Sequence, residues 1–133
     1  MIAKIKRLEQ GVVSILNLDG WSLKCSENEF ECYDAIGKTP KNIECVFEMK
    51  FRDKYYPTKM LEKSKYDSLM KLNALKLYYV NDPKGTYIYI LDKLKLPPVE
   101  KRYCPSTTLW NNTMELKEVY LLGESLAAKI KVH

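Results

Sequence analysis

Ile43-Glu44-Cys45-Val46-Phe47-Glu48-Met49-Lys50-Phe51-Arg52 alternates charged and apolar residues along most of its length. Successive side chains of a strand point to opposite faces, so Cys45, Phe47, Met49 and Phe51 share an apolar face while Glu48 and Lys50 project together from the other. The pattern predicts a strand over 43–52 with at least one face on a core. Just before it, Gly37-Lys38-Thr39-Pro40-Lys41-Asn42 carries turn chemistry, and 30–36 has strand composition, so the two strands should pair antiparallel. A further strand is expected over 21–25, beyond the turn residues Ser26-Glu27-Asn28. The three make a meander.

Upstream, Ile5, Leu8, Val12, Ile15 and Leu16 recur at spacings of three and four, which predicts an amphipathic helix over 2–18 despite Gly11, ended by Leu18-Asp19-Gly20. Downstream, Tyr56-Pro57-Thr58 breaks the strand, and Thr58 is a good N-cap for a helix over the helix formers of 59–75. Strand composition returns in 77–80 and 86–91 around Asn81-Asp82-Pro83-Lys84-Gly85, a hairpin signal. The proline-containing stretch 96–112 predicts a surface excursion, followed by a strand over 119–122 and a short helix over 125–130. The order is helix, three strands, helix, two strands and a tail.

The 133 residues, 46% hydrophobic, suit one domain spanning 1–133, with a core over about 2–91 and a C-terminal extension over 96–133. A charged fraction of 29%, a mean hydropathy of −0.36 and the lack of an apolar run long enough to span a bilayer argue against a membrane protein. The opening residues alternate apolar and charged and carry no signal-peptide pattern, so a cytoplasmic protein is expected. Cys25, Cys32, Cys45 and Cys104 lack metal-ligand spacing and the sole histidine is His133, which excludes zinc-finger geometry and a Cys-His nucleophile. Free thiols packed as small hydrophobes are expected instead. The net charge of +5 favours anionic partners, and Lys50, Arg52, Lys54, Lys59, Lys63, Lys65 and Lys71 gather it in a stretch where only Asp53, Glu62 and Asp67 are acidic.

Glu48 and Lys50 share a face, and the preceding strand supplies Asp34. A turn centred on Thr39-Pro40-Lys41-Asn42 sets Asp34 opposite Phe47, one position from Glu48, so a bulge or a one-residue slip is needed to bring the carboxylates together. Paired carboxylates repel, and a hard cation such as Mg²⁺ relieves that repulsion while keeping waters for chemistry. A lysine two residues after the glutamate can orient or deprotonate an attacking water and steady charge on phosphorus. The plainer reading of Glu48 and Lys50 is the solvated face of an antiparallel strand. Asp34, on a face with Phe30, Cys32 and Ile36, needs a partner under either reading.

Asp34 followed by Glu48-Met49-Lys50, in a meander between two helices, resembles the PD-(D/E)XK nuclease superfamily, the restriction-endonuclease-like and Holliday-junction-resolvase-like enzymes. Tyr33 replaces the proline of the first motif, a position that bears no ligand. The resemblance implies an α/β fold with an αβββαβ core and a central mixed sheet flanked by helices. It implies a Mg²⁺- or Mn²⁺-dependent nuclease, endonucleolytic or structure-specific, in which Asp34, Glu48 and the Met49 backbone carbonyl bind metal and Lys50 assists the water. Glu9 matches the acid that many members add from the first helix, although an outer-face charge is its ordinary reading. Arg52, Lys54, Lys59, Lys63 and Lys65 are the expected nucleic-acid contacts, with DNA as substrate and RNA left open. An enzyme of the phage or mobile-element kind, acting in the host cytoplasm, is expected, and the small size suggests a homodimer. Two other functions are carried: a non-catalytic nucleic-acid-binding module, and a protein-interaction subunit of a phage replication or packaging assembly that keeps the fold. The tyrosines at 55, 56, 66, 78, 79, 87 and 89 invite base stacking, but packing in the sheet is the expected role.

Overall fold

The computed structural model describes residues 2–28, 31–105 and 114–132. Phe30, at the start of the expected second strand, and 106–113, which include the end of the expected surface excursion, lie outside the described residues, as does His133. Helix α1 (Ile2–Leu18) has the expected bounds and ends where Gly20 turns to a φ of +97°, a conformation that disfavours a Cβ. Asn17 then ties the helix to the sheet: its amide donates to the Leu23 carbonyl at 3.0 Å and accepts from the Leu23 N–H at 2.8 Å.

Strands β1 (Ser22–Cys25), β2 (Ala35–Lys38) and β3 (Glu44–Phe51) form the antiparallel meander. Strands β5 (Leu75–Asp82) and β6 (Gly85–Ile90) form the hairpin, and β5 lies parallel to β3. A parallel pair requires a crossover, here through β4 (Thr58–Glu62) and α2 (Lys63–Met70). The central sheet is therefore mixed, in the order β1-β2-β3-β5-β6-β9, with β9 (Lys129–Val132) at its far edge. Strands β7 (Glu100–Pro105) and β8 (Met114–Gly123) join β4 in a second sheet ordered β4-β8-β7.

The expected α/β architecture with helices around a mixed sheet is present, but the central sheet is covered twice. On one face, Val13 of α1 packs with Leu23, Ala35, Cys45, Phe47, Met49 and Leu77. On the other, Val46, Tyr78, Val80, Tyr87 and Tyr89 meet Leu61, Leu69, Tyr120 and Leu122 from the second sheet and α2. Tyr78, Tyr87 and Tyr89 are thus buried packing residues, as their alternation suggests, and all four cysteines are free thiols. The face of β3 that bears Glu48 looks into protein and not into solvent, which removes the plain solvated-strand reading of Glu48.

Four expectations are corrected. The strand expected over 30–36 forms only as Ala35–Lys38, so Asp34 stands just before β2. The helix over 59–75 is a strand, β4, followed by a shorter helix, so Thr58 starts a strand and caps nothing. Leu61 pairs with Tyr120, and that distant partner outweighs a weak local helix propensity. The stretch 96–112 contains β7, held by β8. The short helix over 125–130 is a single 3-10 turn, Glu124–Leu126, before β9 pairs with β6. Sequence from the C-terminal third thus completes both sheets. Among the described residues no helix is long and apolar enough to cross a membrane.

Gly37 belongs to β2 and not to the turn. A Cβ there would stand 1.9 Å from the Ser22 carbonyl oxygen and 2.8 Å from the Leu23 Cα, both backbone atoms that cannot rotate away. Gly37→Ala is expected to force β1 off β2 and lower stability by about 2 kcal/mol or more, read as a drop in the urea midpoint. An unchanged midpoint would refute the close approach.

Candidate active site

The turn between β2 and β3 decides which acids meet. Lys38 pairs with Glu44, which leaves 39–43 as the loop, one residue more than the turn expected from sequence. Thr39 N–H donates to the Ile43 carbonyl at 2.9 Å, Asn42 N–H donates to the Thr39 carbonyl at 2.8 Å, and Asn42 adopts a φ of +66°, which asparagine tolerates better than most residues. The extra residue moves the register by one. Ala35 now faces Phe47 at the last pair of the ladder, and Asp34, the residue before β2, lies beside Glu48.

Asp34 is fixed there from two sides. Its N–H donates to the Phe47 carbonyl at 2.7 Å, and its Oδ2 accepts from the Met49 N–H at 2.7 Å, so it brackets Glu48 along β3. Glu9 of α1 is 5% exposed and lies near Asp34. It faces inward, against its reading as an outer-face helix charge. Burial first, then the Asp34 charge, pushes the Glu9 carboxyl above its ordinary range.

Glu48 is 3% exposed. Its Oε1 lies 4.0 Å from Lys50 Nζ and its Oε2 lies 3.7 Å from Lys65 Nζ on α2, too far for hydrogen bonds. Oε2 is buried without a hydrogen-bond partner. Burial above all, then the Asp34 charge, raises the Glu48 carboxyl to about 7, against the opposing pull of Lys65 and Lys50. A desolvated acid with an unsatisfied oxygen beside a second carboxylate is a site short of positive charge. Among the described residues no three acidic, cysteine or histidine side chains form a ready-made cation cage. Mg²⁺ does not require one, since it binds through one or two carboxylates and retains waters. The Asp34 and Glu48 donors fit such an ion.

The basic residues separate into two groups. Lys50 is half exposed beside Glu48, Lys65 reaches Glu48 from α2, Lys54 is exposed, and Lys63 is an exposed partner of Asp67 at 2.7 Å. Arg52 is half-buried, with its charge near Tyr78. Lys59 is different: in β4 it is 4% exposed, with Nζ 2.7 Å from Asp82 Oδ2 and 2.6 Å from the Tyr56 carbonyl, over the rings of Tyr55 and Tyr87. The expectation of a nucleic-acid contact at Lys59 is corrected to a buried ion pair, because strand alternation turns it inward. Sequence reading missed the approach of Lys65 to Glu48 and the place of Tyr78, the β5 partner of Glu48. A parallel β3-β5 pairing through the crossover would have indicated Tyr78.

No protein-family model and no curated protein sequence matches the chain. Among solved structures, it is similar to Hjc of Archaeoglobus fulgidus, described as a Holliday junction resolvase from an archaeal hyperthermophile, with a TM-score of 0.61. The two are 14% identical, and the match covers 90% of this chain and 84% of that one. The likeness is one of fold.

Proposed function

We propose that this chain is a divalent-metal-dependent DNA endonuclease of the PD-(D/E)XK superfamily, acting on branched or otherwise structured DNA. The observation that carries the reading is Glu48: a buried carboxylate with an unsatisfied oxygen, beside Asp34 and flanked by Lys50 and Lys65. The fold shared with a protein described as a Holliday junction resolvase supports the choice of a structured substrate.

Asp34 and Glu48, with the Met49 carbonyl, would hold a Mg²⁺ or Mn²⁺ ion. When bound, the ion would supply positive charge to the scissile phosphate and acidify an attacking water. Glu9, buried beside Asp34, adds a third acid to the site. Lys50, half exposed at the rim, orients the water and meets the charge that develops on phosphorus. Arg52, Lys54, Lys63 and Lys65 contact the DNA backbone, which makes binding fall with salt.

The test is incubation of the purified protein with four-way-junction and linear DNA in Mg²⁺ or Mn²⁺. Junction cleavage that stops in EDTA and in Lys50→Ala, with DNA binding retained, is the expected result. Binding without cleavage in either metal would sink the nuclease reading in favour of a non-catalytic DNA-binding module.

A further inference from the structure

A cavity of about 430 Å³ opens between the two sheets, next to the candidate active site. Its connection to that site is built into the strands. Tyr78, the β5 neighbour of Glu48, lines it, and so does Arg52, the residue just after β3, four residues and therefore roughly 13 Å along the chain from Glu48. The deep wall is apolar, and Tyr78 donates its hydroxyl to the Met60 carbonyl at 2.6 Å, which leaves its ring as a fixed surface. Tyr103, 70% exposed, and Tyr56, also exposed, stand at the rim.

The rim is cationic. Arg52, Lys54 and Arg102 line the cavity, Arg102 also pairing with Glu100 at 2.8 Å in an exposed ion pair. The lining acid, Asp82, is neutralised by Lys59 at 2.7 Å. A space of this size suits a small organic group rather than a double helix. Aromatic rings at the rim offer stacking faces for a base, and the arginines and lysine offer charge to the phosphates on either side of it. A base paired within a duplex cannot enter, because its faces and edge are occupied.

We infer that this cavity receives an unpaired nucleotide of the DNA substrate, a few nucleotides from the cut, with its base stacked on Tyr103 and its flanking phosphates held by Arg52, Lys54 and Arg102. The inference rests on the nuclease reading for its substrate and names the feature of that substrate that is recognised: a base outside a helix.

The experiment uses the full chain in EDTA, so that binding is measured without cleavage, with a duplex that carries a single unpaired fluorescent purine analogue and a fully paired duplex of the same length. The unpaired probe is expected to bind more tightly and to change fluorescence on binding. Tyr103→Ala, at an exposed position, should weaken that binding about tenfold and abolish the fluorescence change, Tyr103→Phe should restore both, and the paired duplex should bind all three proteins alike. Unpaired-probe binding within about twofold of wild type in Tyr103→Ala, or equal losses on both duplexes, would overturn the inference, since stacking must act on the unpaired base alone. The nuclease reading fails separately. A fluorescence response without cleavage in Mg²⁺ or Mn²⁺ would sink that reading and support the cavity, whereas junction cleavage by Tyr103→Ala at the wild-type rate and affinity would do the reverse.

Discussion

Glu48→Gln is expected to abolish cleavage and, in the absence of metal, to make the protein more stable above neutral pH. The first effect follows from the proposed role: an amide is a poor ligand for a hard cation, and loss of one member of a catalytic set reduces turnover by at least on the order of a thousandfold. The second follows from burial. The Glu48 carboxyl is raised from 4.5 to about 7 in the folded protein, so its contribution to stability is fully present below about pH 4.5 and is lost as the pH rises through 7. Above that point the folded protein carries a buried charge that the unfolded chain would hydrate. At 1.36 kcal/mol per pKa unit the upper scale of this penalty is roughly 3 kcal/mol. Glutamine keeps the shape and does not ionise.

Urea unfolding in EDTA at pH 5 and pH 8 measures the effect. Wild type should lose stability between the two values relative to Glu48→Gln, and a parallel loss in both would show that Glu48 titrates normally. Adding Mg²⁺ at pH 8 should stabilise wild type, because the ion binds only the folded site, and leave Glu48→Gln unchanged. Stabilisation of both proteins to the same degree would place the ion elsewhere.

The second large effect belongs to a residue with no part in the chemistry. Lys59→Met is expected to destabilise the protein by about 3–5 kcal/mol, because it leaves Asp82 charged and buried without its cation. Asp82 also accepts from the Lys84 N–H at 2.8 Å and the Gly85 N–H at 3.1 Å, so its loss would loosen the β5-β6 turn. The double variant Lys59→Met/Asp82→Asn keeps an acceptor for that turn and removes both charges, and it should recover much of the loss. Failure to recover any would mean that packing of the lysine stem and its contacts with Tyr55 and Tyr87, not charge pairing, dominates. DNA binding gives a second readout. Lys54→Ala should reduce the slope of log affinity against log salt by about 1, whereas Lys59→Met should leave it unchanged. A reduced slope for Lys59→Met would return Lys59 to the DNA-contacting set.

The elements that could be read from sequence are those whose signal is local. Helix α1 shows in the three-and-four spacing of Ile5, Leu8, Val12 and Ile15, and its end in Gly20, but the face that packs is Val12, Val13 and Leu16, with Ile5, Leu8 and Ile15 exposed. Strand β3 shows in its alternation, which also fixes Glu48 and Lys50 to one face. The β5-β6 hairpin shows in Asn81-Asp82-Pro83-Lys84-Gly85. Apart from the bounds of β2, the elements misread are those made by a distant partner: β4 and β7 are strands because β8 lies between them, and β9 is a strand because β6 offers an edge. Lys59 followed from the same error, since a residue read onto an exposed helix face lies on the inward face of a strand.

The candidate site divides along the same line. Sequence by itself determined the chemical kinds present, the motif Glu48-Met49-Lys50 and the apolar backing of β3, because strand alternation is a property of neighbouring residues. Only the tertiary structure decided that Asp34 stands beside Glu48, with one additional loop residue at the β2-β3 turn, and that Glu9 faces inward. Only it covered the Glu48 face with α2 and a second sheet, and that cover, by stripping water from a carboxylate, makes the residue unlike any other exposed or paired acid in the described chain.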